Sequence, residues 1–226
     1  MDANTEIGTL IAAAGGLGTA AFALVDACKL FWGGVSRCGF SRIIAVVHKL
    51  VPSGDDNPMW HASIEKTLWA NWLNGTRLSD QKAVAKTLIK LRLNGTTARA
   101  MATETGIDET TLTIIASNVA SGTPLDADQS AVFGRFDLIV TAMLDEGYQR
   151  ADQIYRNSAK ALSVLVAVVL AVFGVILTTP DGTPVDHTLL LEAVLLGLVA
   201  SPLAPVTKDL SSALAAGVQM AQVLRK

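Results

Sequence analysis

The sequence predicts an all-α integral membrane protein with three transmembrane helices, a helical cytoplasmic domain and a long stalk helix continuous with the second span. Three observations predict it. Half of the 226 residues are hydrophobic and only 17% are charged, a balance poor in the charge that a soluble surface carries. Residues 7–25 and 161–177 contain no charged side chain at all. Between 127 and 177 a helical periodicity runs on without a proline; at 1.5 Å per residue it reaches roughly 75 Å, more than twice the ~30 Å of a bilayer's hydrocarbon core, so about half of it stands outside the membrane. The segments expected are an N-terminal transmembrane helix (1–36), a cytoplasmic helical domain (37–123), a stalk helix (124–160), a transmembrane hairpin (161–206) and a C-terminal amphipathic cytoplasmic helix (207–226).

The first span begins in an acidic stretch, Met1 to Glu6, with no basic residue before Lys29. A cleaved signal peptide needs a positively charged start, so the span is expected to remain. Gly8, Ala12, Gly16 and Ala20 recur every four residues. In lipid, where apolar burial drives helices together only weakly, such a face lets another backbone approach closely, in the same chain or in a second copy. At the exit Asp26 and Lys29 lie one turn apart, placed to pair or to reach head groups, and Phe31 with Trp32 fall where an aromatic belt belongs. Cys28 and Cys38 are too few and too close to a span to form a disulfide framework, and Asp26 argues against acylation at Cys28.

Gly33-Gly34 breaks this helix. Residues 41–51 then read as an amphipathic helix with Ile43, Ile44, Val47 and Val51 on one side and Pro52 as its stop; membrane surface and helical domain are equally good beds for that face. Asp55-Asp56 reads as a solvated turn. The tetrapeptide Leu-Asn-Gly-Thr, at Leu73 and again at Leu93, closes an apolar run each time. Gly75 and Gly95 suit a left-handed cap, with Thr76, Ser79 or Thr97 capping the next helix. Asn74 and Asn94 match glycosylation sequons, which carry no meaning on a cytoplasmic segment. Trp60, Trp69 and Trp72, at near-helical spacing, read as core rather than as a ligand cage.

Ala102, Gly106, Ile107, Leu112 and Ile115 fall at helix-turn-helix spacing, with Asp108 as cap of the second helix. That helix opens Asp108-Glu109-Thr110-Thr111, which brings carboxylates toward phosphates and offers no lysine or arginine to a guanine. These residues argue against a nucleic-acid partner, in keeping with a net charge of −2, and the hairpin is expected to serve packing.

After the loop at Ser121 to Pro124, Val132, Phe136, Ile139, Met143, Gly147, Ala151, Ile154 and Ser158 draw one stripe along the stalk. Arg150, Tyr155, Arg156 and Lys160 gather where it would enter the membrane. A turn at 178–184 leads to the last span, which carries Glu192 near its entry and Pro202 and Pro205 near its exit. Glu192, Asp26 and Lys29 are the candidate intramembrane polar site. Thr207 can cap a tail helix with Leu210, Leu214, Val218, Ala221 and Leu224 on one face.

Lysine and arginine are absent from the amino terminus and from the 178–188 turn. The positive-inside rule, resting on Arg37, Arg42, Arg156 and Lys160, places the amino terminus outside and the middle region and carboxyl terminus in the cytoplasm. Two segments carry a resemblance. Arg150, Tyr155 and Arg156 sit as in the M-D-R-V-S-G-W-Y-K-R-like stalk pattern of a group of uncharacterised bacterial multi-pass inner-membrane proteins. Ala204, Pro205, Asp209 and Leu210 match that group's G-A-P-F-W-F-D-L-L-N-K-L-like ending. The resemblance implies the bacterial inner (cytoplasmic) membrane and the same three-span layout, and it brings no activity with it.

No phosphate loop, dinucleotide glycine pattern or nucleophile elbow is present, and His48, His61, His187 and the two cysteines complete no zinc spacing. No catalytic residue, metal or cofactor is therefore expected. The leading expectation is a scaffold or anchor that forms homo-oligomers in the lipid bilayer and offers its cytoplasmic helices to a protein partner. A pore or membrane-disrupting effector stands second and a membrane-tethered DNA binder third.

Overall fold

The computed structural model of the chain describes residues 3–31, 33–51, 58–180 and 183–204. Trp32, the Asp55-Asp56 turn, Pro205 and the tail at 207–226 lie outside them. Among the described residues every regular element is a helix: α1 (Ala3–Ala27) with a single 3-10 turn at Cys28–Leu30, α2 (Ser36–Leu50), α3 (Pro58–Leu73), α4 (Leu78–Leu91), α5 (Gly95–Thr105), α6 (Glu109–Ser121) and α7 (Ala127–Thr178), then α8 (His187–Ala204). α1, α7 and α8 are each long and apolar enough to cross a membrane. The chain divides into two compact units, one drawn from 36–155 and one from 1–35 and 156–226, so α7 supplies residues to both.

In the 36–155 unit the apolar face of α2 settles the choice left open by its periodicity. Ile43, Val47 and Leu50 are fully buried in one core with Leu68 of α3, Ile89 of α4, Met101 of α5 and Leu112 of α6. α7 adds Phe136, Val140, Leu144, Tyr148 and Ala151 to that core. Its buried face is thus centred on Val140 and Leu144, one residue past Ile139 and Met143. The segment expected as a stalk is the packing spine of this unit. A Cβ on Gly39 would lie 2.5 Å from the Ala151 carbonyl oxygen, and one on Gly147 would lie 2.8 Å from Val46 Cγ2; α2 and α7 therefore cross in close contact because glycine occupies both positions.

The two Leu-Asn-Gly-Thr copies diverge. Gly75 takes the left-handed conformation, φ +65°, behind the end of α3. Gly95 instead opens α5, because Asn94 caps it: Asn94 Oδ1 accepts from Thr96 N and Thr97 N at 3.0 Å each, and Thr97 Oγ1 accepts from Asn94 N at 3.1 Å. This reciprocal box satisfies donors that a left-handed residue at 95 would have left open. Neither Thr76 nor Ser79 caps α4, whose N-cap is Arg77 without a side-chain bond; the Thr76 carbonyl is taken instead by Gln81 Nε2 at 2.6 Å. The helix-turn-helix spacing does fold as a hairpin. Gly106 ends α5 at φ 64° and Asp108 accepts from Thr111 N at 2.8 Å to start α6.

Electrostatics join α4 to α7. Lys82 meets Asp145 at 2.5 Å, while Lys86 and Lys90 reach Asp137 at 3.0 and 2.9 Å. Lys90 also lies 4.9 Å over the Phe133 ring. The hydrogen bond from Lys90, followed by that from Lys86, holds the Asp137 carboxyl below the usual range against the opposing effect of partial burial. Nearby, Tyr148 is buried and its hydroxyl is pushed well above the ordinary phenol value by loss of solvent.

Candidate functional site

The remaining unit is built from small residues. Ala21 of α1, Ala167 of α7 and Ala200 of α8 are each fully buried and form its centre, with Leu17 and Val166 packed against them. A Cβ on Gly18 would lie 2.7 Å from the Ala200 carbonyl carbon and 3.1 Å from Ala204 Cβ; one on Gly197 would lie 2.5 Å from Val168 Cα. Helix backbones touch at both places, which is how spans associate when lipid is as apolar as their side chains. Ser163 and Ser201, both buried, share a hydrogen bond at 3.2 Å, a contact worth about 0.6 kcal/mol between membrane helices.

These contacts fix direction within the unit. Ser163 meets Ser201, while Val168, farther along α7, meets Gly197, earlier along α8, so α7 and α8 are antiparallel. Gly18 meets Ala200 and Ala204, and Leu10 and Ile11 share a groove with Leu189 and Leu195, so α1 runs parallel to α8. Leu165, Val169, Phe173, Leu191, Leu195 and Leu198 are exposed. Large apolar side chains outside and small ones inside is the pattern of helices solvated by lipid.

The residues singled out from the sequence fall as follows. Gly8, Ala12, Gly16 and Ala20 are all exposed, and nothing lies within 4 Å of a Cβ placed on Gly8 or Gly16. The chain's own packing uses Ala14, Gly18, Ala21 and Val25, which are buried. Asp26 and Lys29 form an ion pair one turn apart, with Asp26 well exposed. Arg150 pairs with Glu146 at 2.7 Å. Tyr155 belongs to the 36–155 unit, where its ring meets Trp72 edge-on at 6.0 Å, and Trp72 Nε1 donates to the Ser36 carbonyl at 2.9 Å. Trp69 meets Phe40 edge-on at 4.9 Å, so Trp69 and Trp72 both serve packing. Arg156 and Lys160 are exposed in the other unit.

Glu192 is exposed on a groove of about 710 Å³ lined by α1, α7 and α8, and it makes no ion pair or hydrogen bond among the described residues. Those residues also hold no group of three metal-ligating side chains. His48, unassigned from the sequence, meets Glu65 at 2.8 Å on the surface between α2 and α3. Sequence reading also missed the Lys82, Lys86 and Lys90 ladder and the Gly18 and Gly197 contacts. A repeat of four in the lysines was visible, but its carboxylate partners lie about 50 to 60 residues away.

The chain matches no protein-family model, no curated protein and no solved structure.

Proposed function

We propose that this chain is a non-enzymatic scaffold or anchor of the bacterial inner membrane. It self-associates through its spans and presents the 36–155 helices to a cytoplasmic partner. The observation that carries the reading is the division of α1 into two small-residue faces. Gly18 and Ala21 are used within the chain, whereas Gly16, two residues back and so about 200° round the helix, belongs to an exposed stripe with Gly8, Ala12 and Ala20. The first face builds the unit and the second is free to meet another copy. The parallel α1 and α8 and the antiparallel α7 suit three consecutive crossings, and the flanking Arg37, Arg42, Arg156 and Lys160 orient the amino terminus outward.

Replacing Gly16 and Ala20 together by leucine tests this reading. The doubly substituted protein should have a smaller mass than the wild type by light scattering in mild detergent, and an unchanged mass would reject self-association through this stripe. A pore is the second reading, favoured by Glu192. The centre of the unit is alanine and Asp26 is already paired with Lys29, so less supports it; ion flux through liposomes holding the purified protein would restore it. A DNA surface has least support, because α6 contains no basic residue.

A further inference from the structure

We infer that the groove between α1, α7 and α8 holds one phospholipid, bound by pairing of its headgroup ammonium with Glu192, and that the lipid preferred is an aminophospholipid such as phosphatidylethanolamine. The inference rests on the membrane reading above and goes beyond it by naming a ligand.

Three features of the groove lead there. Its walls are apolar, formed by Leu10 and Ile11 of α1, Val175 of α7, and Leu195, Val199 and Leu203 of α8. Leu195 and Val199 are also about half exposed on the outer surface of the spans, so the groove opens sideways, toward the phase that solvates those leucines. A lipid is already in that phase.

The length is right for one leaflet. From Glu192 to Leu203 is eleven residues, roughly 16 Å along the helix, and half of a ~30 Å hydrocarbon core is about 15 Å. Glu192 lies one turn below the polar run Asp186, His187 and Thr188, so an acyl chain anchored beside it can lie along α8 as far as Leu203.

Charge chooses the headgroup. Glu192 is the one carboxylate on the groove, and among the described residues nothing pairs with it. An unpaired carboxylate at the edge of hydrocarbon repels an anionic phosphatidylglycerol and attracts a cation. A primary ammonium can donate charge-assisted hydrogen bonds to it, which the quaternary headgroup of phosphatidylcholine cannot.

The test begins with flotation of the full chain with vesicles after carbonate washing, because loss of flotation would sink the membrane reading itself. Protein that floats is then examined by native mass spectrometry in detergent, titrated separately with phosphatidylethanolamine, phosphatidylglycerol and phosphatidylcholine of identical acyl chains. The expected result is one retained phosphatidylethanolamine with about tenfold preference over phosphatidylglycerol, the size of one charge-assisted bond in a desolvated setting. Glu192→Gln, which keeps shape and removes charge, should erase that order while leaving protein mass and oligomeric state unchanged. Val199→Trp, at an exposed position on the groove wall, should lower retention of all three lipids and keep their order. Equal retention of the headgroups by the wild type, an order unaltered by Glu192→Gln, or displacement of the lipid by free ethanolamine at matched concentration would each overturn the inference.

Discussion

Adding one methyl group at Gly18 should destabilise the span unit, while the same change at Gly16 should not. A Cβ at residue 18 would stand 2.7 Å from the Ala200 carbonyl carbon, against the 3.5 to 4.0 Å at which carbon atoms rest. The backbone of α8 must therefore retreat by roughly 1 Å, and a gap of that size forfeits a quarter to a half of each dispersion contact along the seam. The movement also strains the 3.2 Å bond between Ser163 and Ser201. Overpacking of this kind costs about 1 to 3 kcal/mol, which is about 5- to 150-fold in the folding equilibrium. At Gly16 nothing lies within 4 Å of the new atom, and alanine is the better helix former. The assay is unfolding of Gly18→Ala, Gly16→Ala and wild-type protein, each diluted until it is monomeric, in micelles of rising sodium dodecyl sulfate content, followed by circular dichroism. Gly18→Ala should unfold at a lower fraction of the denaturing detergent, with Gly16→Ala level with the wild type or above it. Equal loss at the two positions would refute the assignment of the faces.

Two further predictions concern the 36–155 unit. Asp137→Asn removes the acceptor shared by Lys86 and Lys90 and should cost about 1 kcal/mol at pH 7, as expected for one partly exposed ion-pair network. Because the folded Asp137 carboxyl titrates below its unfolded value, its stabilisation is present above an unfolded pKa of about 3.9 and fades as pH falls through the folded value. The substituted protein should show a flatter loss of stability in acid. An acid limb identical to that of the wild type would contradict the ladder. Tyr148, with its hydroxyl shifted upward by burial, should give no phenolate absorbance at pH 10 until the protein unfolds. Its contribution to stability is full below about pH 10 and is lost as pH rises through its folded value. A Tyr148→Phe protein that, still folded, has less phenolate absorbance at pH 10 than the wild type would show that Tyr148 is not buried.

Much of the architecture was legible because periodicity and length are local properties. The long helix was expected over residues 127–177 and is observed as Ala127–Thr178; the turn at Gly106 and the cap at Asp108 followed from two residues whose backbone preferences are strong. Gly95 misled because asparagine before it supplied a competing cap, and a glycine is compatible with either end of a helix. In α1 the spacing of small residues was real but double: Gly8, Ala12, Gly16 and Ala20 form one stripe, and Ala14, Gly18 and Ala21 another. Periodicity alone does not say which stripe a partner covers, since that depends on where Ala200 falls. The same holds for Lys82, Lys86 and Lys90, whose carboxylates become neighbours only once α4 lies on α7. Glu192 stood out as a charge in an apolar run, whereas the groove beside it needs three helices to exist.

Reaction of single cysteines with a membrane-impermeant maleimide in intact cells tests the central claim most directly. With Cys28 and Cys38 replaced by serine, one cysteine would be placed at Thr183, in the turn between α7 and α8, and another at Ser130, near the start of α7. Crossings by α1, α7 and α8 predict labelling at Thr183→Cys in intact cells and at Ser130→Cys only after the membrane is breached. Equal labelling of both positions before lysis would contradict it.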